Sequence, residues 1–210
     1  DFGSSGMGQM GNVLDIAGQV PHTLTLIAGD DTTLTVTMTR LHGQTLDLDT
    51  PVVLSTGATV FNGDVISITP AASAGYYAKL KINGVNLGRL ESAMSLTISG
   101  ETTIETEAVA LVAKTVTLTV GADTTLTAAQ TRLAGMLADL ASPDAVLTGG
   151  TVYVGDIVEF TAATTAGDGY HVTLTIDTEL AELDESGKVS VTVADDIVAV
   201  SASVANEGGA

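Results

Sequence analysis

The sequence predicts an all-β protein made of two tandem copies of one unit, with at most one short helix in each copy. Three observations predict it. Laid on itself with a shift of 92 residues, Thr23–Gly75 falls on Thr115–Gly167 without a gap, and about half of the paired residues are identical. Within each copy, apolar and polar residues alternate with the period of two that a half-buried strand requires. Gly, Asp and Asn then punctuate the alternating runs at short intervals, where turns are needed.

Taken in chain order, the opening residues are the poorest in strand signal. Gly6-Met7-Gly8-Gln9-Met10-Gly11 spells G-x-G-x-x-G, but only five residues precede it. A dinucleotide loop leaves a strand and opens a helix inside a βαβ unit, so this segment reads as a Gly-rich arm. Val13-Leu14-Asp15-Ile16-Ala17 follows it. A short apolar stretch on an arm either adds to the sheet edge of a neighbouring subunit or caps its own first domain, and Val13, Leu14 and Ile16 are the candidate assembly residues. The chain opens on Asp1 rather than methionine, as expected of a processed product or an excerpt.

The first copy then begins. Leu24, Leu26 and Ala28 alternate with Thr23, Thr25 and Ile27, and Leu34, Val36 and Met38 alternate with Thr33, Thr35, Thr37 and Thr39. Threonine suits these positions because its branched Cβ fits a pleated surface while its hydroxyl faces water. Gly29-Asp30-Asp31 and Gly121-Ala122-Asp123 lie between two such runs and are predicted hairpin turns. Val65–Thr69, Ala78–Ile82, Leu96–Ile98 and Ile104–Val109 continue the pattern, with turns at Asn62-Gly63-Asp64, Asn83-Gly84 and Gly100-Glu101. A meander of about six short strands per copy is the expected outcome. One stretch breaks the rhythm: Leu133, Met136, Leu137 and Leu140 recur at helical spacing within 132–141 and end before Pro143. A short helix or an irregular crossover is expected there. The domain reading is an arm over 1–21, repeat domains over 22–110 and 111–205, and a tail over 206–210.

Composition excludes several functions. The chain of 210 residues carries 25 acidic against 7 basic side chains, for a net charge of −18. Such a charge repels phosphate backbones and anionic lipid, so neither nucleic acid nor a membrane surface is an expected partner. Zero cysteines remove disulfides, thiolate nucleophiles and Cys-type zinc sites. No apolar run approaches the roughly 18 residues of a membrane helix, so membrane insertion is not expected. The hydrophobic fraction of 45% separates the chain from disordered acidic tails.

Specific runs resemble a known family. Leu54 through Thr69 contains Gly57-Ala58-Thr59-Val60-Phe61-Asn62-Gly63-Asp64-Val65-Ile66-Ser67-Ile68, followed by Ala74-Gly75-Tyr76, Ile82-Asn83-Gly84 and Leu96 through Ile104. These resemble the divergent B-repeat modules related to those of listerial internalins, in the form found in bacterial surface proteins and phage virions. The second copy repeats the elements as Gly150 through Ile157, Gly169-Tyr170 and Val191 through Val198, but places Asp177-Thr178 where the first has Asn83-Gly84. The resemblance implies β-grasp-like or sandwich-like domains strung along surface proteins or fibres, without enzymatic activity. It also implies that Tyr76 and Tyr170 serve the core and a turn.

His22, His42 and His171 do not recur between copies, and none sits beside a second ligand at metal spacing. Acids cluster at Asp30-Asp31, Asp47-Leu48-Asp49, Asp184-Glu185 and Asp195-Asp196 without the D-x-D-x-D-G run of a calcium loop. No catalytic, cofactor or metal residue is therefore assigned. Arg40 and Arg132 occupy equivalent places. Each is expected to clamp a carboxylate of its own copy, Asp47 or Asp64 in the first and Asp139 or Asp156 in the second. Tyr76, Tyr77 and Tyr170 offer either core packing or a small platform for sugar.

Two functional classes follow. The favoured one is a non-enzymatic structural subunit, extracellular or virion-exposed, whose partners are other copies of itself or a capsid, tail or filament protein. The alternative is a cell-surface adhesin with a glycan ligand.

Overall fold

The computed structural model describes residues 20–206. The G-x-G-x-x-G segment, the Val13–Ala17 stretch and residues 207–210 lie outside the described residues. Within them the protein is all-β, built as two sandwich-like domains of nine strands each. The first contains β1 (Pro21–Ala28), β2 (Thr32–Arg40), β3 (Val52–Leu54), β4 (Ala58–Phe61), β5 (Val65–Ala72), β6 (Tyr76–Ile82), β7 (Val85–Arg89), β8 (Met94–Thr97) and β9 (Thr102–Ala110). The second contains β10 (Ala113–Thr119), β11 (Thr124–Arg132), β12 (Asp144–Val146), β13 (Gly150–Tyr153), β14 (Ile157–Thr164), β15 (Tyr170–Ile176), β16 (Glu179–Leu180), β17 (Lys188–Thr192) and β18 (Ile197–Ala205).

Each sandwich pairs a five-stranded with a four-stranded sheet, in the orders β4-β1-β9-β6-β7 and β3-β2-β5-β8. The second copy repeats them as β13-β10-β18-β15-β16 and β12-β11-β14-β17. One pairing closes each unit: the first and last strands lie side by side and parallel, Leu24 opposite Thr102 and Ala28 opposite Thr106, and likewise Val116 opposite Ile197. Every other pairing is antiparallel.

That closure corrects the meander. β1 and β2 belong to different sheets, so Gly29–Asp31 and Gly121–Asp123 are arches from one sheet to the other rather than hairpin turns. The Gly29 N–H donates to the Thr106 carbonyl of β9 at 2.9 Å, not to β2. Alternation reveals which face of a strand is buried and is silent about which strand lies along its edge. Asp31 and Asp123 take the left-handed conformation that turns the chain, at φ 57° and 54°.

The helix allowed by the leucine spacing is absent. Gly135 stands at φ 83°, incompatible with an α-helical turn, and the Ala134 N–H is captured by the Asp156 carboxylate. The segment is an irregular loop closed by Leu140 N–H donating to the Thr131 carbonyl at 2.7 Å.

The cores are separate. Leu24, Val36, Val60, Ile66, Ile68, Leu80, Ile98 and Ile104 fill the first sandwich, and Val116, Val152, Val158, Phe160, Leu174, Val193 and Ile197 fill the second. These are the inward positions of the alternating runs, each fully buried aliphatic side chain contributing about 1.5–3 kcal/mol of transfer free energy.

The β6–β7 and β15–β16 turns show how divergence is tolerated. Asn83 and Gly84 sit at φ 49° and 78°, while Asp177 and Thr178 hold the same turn at φ 50° and 75°. Asn83 accepts the Thr103 N–H and Asp177 accepts the Val198 N–H, each at 2.8 Å, so the polar anchor survives the exchange. Thr178 carries a branched side chain at positive φ, which costs about 1 kcal/mol or more. Replacing Thr178 by Gly is expected to raise stability by about 0.5–1 kcal/mol, the relief of strain exceeding the added unfolded-state entropy. Chemical denaturation measures it.

Candidate functional site

The polar groups that recur in both copies converge on one loop. After β4 the chain turns at Asn62-Gly63-Asp64, and Asp64 is 1% exposed. Its carboxylate accepts the Phe61 N–H on one oxygen and the His42 N–H on the other, both at 2.8 Å. Its carbonyl accepts the Ile98 N–H at 2.8 Å. Asp156 is equivalent, fully buried, and accepts the Tyr153 and Ala134 N–H groups at 2.7 Å. The Gln130 side-chain amide also donates to it. A buried carboxylate is tolerable only when fixed donors replace its water shell, and these backbone N–H groups do so without a cation.

The arginines brace the same loop from outside. Arg40 Nε lies 2.9 Å from Asp47 Oδ1 and Arg132 Nε 2.8 Å from Asp139 Oδ1. Of the two acids open to each arginine, the guanidinium takes the exposed one across the loop, while Asp64 and Asp156 stand apart from it. Exposed pairs of this kind contribute about 0–1 kcal/mol, so the buried carboxylate holds the loop and the arginine trims it.

What the loop does differs between copies. In the first, residues 43–49 line an open surface depression of about 510 Å³, with Leu46 78% exposed. In the second, the loop after Arg132 is seated on the β6–β7 hairpin of the first sandwich. Arg89 N–H donates to the Gly135 carbonyl at 2.8 Å. A Cβ at Gly88 would overlap that carbonyl oxygen, and one at Gly135 would overlap the Tyr77 ring. The Arg89 guanidinium lies 5.9 Å from the Tyr77 ring centroid and pairs with Glu91 at 2.6 Å. Leu87, Leu90 and Met94 face Met136 and Leu137 across a crevice of about 390 Å³.

Sequence reasoning missed Gly88 and Arg89 as contact residues. Their signal was asymmetry: Arg89 is the third of three arginines and has no partner in the second copy.

The remaining candidates scatter. His22 Nε2 meets Asn62 at 2.8 Å and His171 Nδ1 meets Asn206 at 2.8 Å, more than one element apart from each other. Tyr76 and Tyr170 are 39% and 47% exposed, which corrects the core role implied by the resemblance: each begins a strand, beyond the inward-facing positions. Among the described residues no group of three or more His, Asp or Glu side chains is placed to hold a metal ion. The acid clusters instead tie the backbone, Asp196 accepting the Thr115 N–H and Asp184 those of Ser186 and Lys188. On the outer face of β6 and β9, Lys81 and Lys79 hold the Glu107 carboxyl below its ordinary value, first through the Lys81 hydrogen bond. Asp195 likewise raises the Lys114 ammonium.

No family model matches the chain, and no curated protein matches it. Among solved structures it is similar to the major pilin from Streptococcus pyogenes, determined as an asparagine-to-alanine mutant. The identity is 11% and the TM-score 0.24, over 88% of this chain and 98% of the pilin. A score of that size establishes no common fold.

Two outcomes are expected. Asp156→Asn keeps one accepting oxygen but turns an N–H₂ toward the donors on the other side, and should cost about 2–4 kcal/mol in chemical denaturation, whereas Arg132→Gln should cost under about 1 kcal/mol. Gly135→Val or Gly88→Val should leave both cores folded but unseat the second sandwich, read as new proteolytic cleavage near Leu111-Val112 and a larger radius of gyration in solution scattering.

Proposed function

We propose that the chain is a non-enzymatic structural subunit, a two-unit β spacer, decoration or fibre protein exposed outside the cell or on a virion. One observation carries this reading: the polar residues preserved between the copies are consumed by architecture. Asp64 and Asp156 hold loops, Arg40 with Asp47 and Arg132 with Asp139 brace them, and the Thr32–Thr106 and Thr124–Ser201 hydroxyl pairs, each 2.7 Å apart, tie the arches. A duplication kept for chemistry would preserve a nucleophile, an acid–base pair or a ligand set in both units. This one preserves turns, ties and core.

The mechanism is geometric. Two sandwiches joined by a seated loop make a spacer, and the acidic exterior keeps neighbouring copies from clumping. The segment with Val13, Leu14 and Ile16 is the assembly element, and its partner is another copy or a capsid, tail or filament protein. A glycan-binding adhesin is the second reading, favoured by the exposure of Tyr76 and Tyr170 at equivalent strand starts.

The test is incorporation. A chain lacking residues 1–19 should keep its melting temperature and lose incorporation into the particle or filament that carries the intact chain; unchanged incorporation overturns the reading. Retention on a glycan array that disappears with Tyr76→Ala and Tyr170→Ala would favour the adhesin instead.

A further inference from the structure

The second sandwich is open along one side. β12 pairs only with Ala128, Ala129 and Gln130 of β11, so among the described residues no strand pairs with Thr124–Thr127 on that edge. Beside it a cavity of about 270 Å³ opens between the sheets, lined by Leu118, Val120, Leu126, Val146 and Leu147. Val120 is 54% exposed and Leu147 75%.

The first copy has the same free edge at Thr32–Thr35 but a different rim. Ala28 stands where the second copy has Val120, and Ser55 where it has Leu147. Inside, Val36 and Leu54 give way to Ala128 and Val146. Phe160 stands opposite Ala128 where the first copy pairs Ile68 with Val36, and is fully buried. Divergence has made one cleft apolar at its mouth, where solvent would otherwise favour polar residues.

We infer that this cleft receives the Val13–Ala17 segment of a second copy, added as a strand to the free Thr124–Thr127 edge with Leu14 and Ile16 in the cavity. The inference rests on the reading of that segment as the assembly element. An extended backbone puts Leu14 and Ile16 on one face, toward an apolar cleft, and Asp15 on the other with Val13 and Ala17. The edge supplies unpaired N–H and C=O groups, and the cavity supplies the side-chain specificity that strand addition needs.

The donor is another copy because of the parallel closure. β1 runs alongside β9, so the segment enters the first sandwich at the end opposite the one where the chain leaves for the second. The nine residues of β9 span about 30 Å, whereas the four steps from Val20 back to Ile16 reach about 14 Å. Donor segment and acceptor cleft are different surfaces, so the contact is heterologous and propagates from copy to copy. A net charge of −18 per chain opposes it, and added salt should strengthen it by screening.

The absence of cysteine makes cross-linking clean. Full-length Ile16→Cys chain is mixed with Leu147→Cys chain under mild oxidation, with Ser55→Cys chain, the same turn in the first copy, as control. The expected result is at least tenfold more heterodimer with Leu147→Cys than with Ser55→Cys, rising with salt. Equal yields overturn the cleft assignment. Cross-linking confined within a doubly substituted Ile16→Cys, Leu147→Cys chain overturns the second copy as donor and makes the chain its own. Sedimentation separates this from the structural reading. Oligomers that lose at least tenfold in association with Leu147→Glu and with Ile16→Glu support the cleft. Oligomers indifferent to both substitutions, or a chain that stays monomeric, overturn the cleft while leaving the structural reading to be judged by incorporation.

Discussion

One buried carboxylate per copy organises the molecule. Asp64 and Asp156 are almost completely removed from water, and each accepts N–H groups from the end of one strand and from a loop that has left another. The carboxylate thereby ties β4 to the loop after β2, and its own carbonyl reaches the segment after β8. Three stretches distant in sequence are fixed to one point. Because the donors are backbone groups, the loop's shape is preserved although its side chains change from His42-Gly43-Gln44-Thr45 to Ala134-Gly135-Met136-Leu137.

That freedom is what duplication exploited. A loop of constant shape is solvent-exposed in the first copy and carries apolar side chains in the second, where it is seated on the β6–β7 hairpin. The seat depends on two glycines meeting, Gly88 on the hairpin and Gly135 on the loop, since a Cβ on either would collide with the other side. Arg89 contributes its backbone N–H to the seat and its guanidinium to the Tyr77 ring beneath it.

Much of this was legible beforehand, and the exceptions share a cause. The self-alignment, the alternating threonines and the Gly and Asp punctuation located six of the nine strands of the first copy, because those signals act within a few residues, and left β3, β4 and β7 unmarked. The pairing of Arg40 with one of two nearby acids was legible for the same reason. The leucine spacing of 132–141 suggested a helix that does not form, since a positive φ at Gly135 and a distant carboxylate outcompete the helical hydrogen bonds. Tyr76 and Tyr170 read as core residues and are exposed, because a motif position does not state which end of a strand meets solvent.

The amino-acid order was sufficient for fold class, duplication, the period-two faces and the exclusion of basic-surface and cysteine chemistry, all of which follow from composition and from forces between near neighbours. Long-range pairing required the folded chain: the parallel closure of β1 on β9, the arches where hairpins were expected, the seat at Gly88 and Gly135, and the open edge of β11 beside an apolar cleft. A strand's sequence states which of its faces seeks the core. Both of its edges carry the same N–H and C=O groups in every sequence, so the partner along each edge is chosen only when the whole set of strands competes for it.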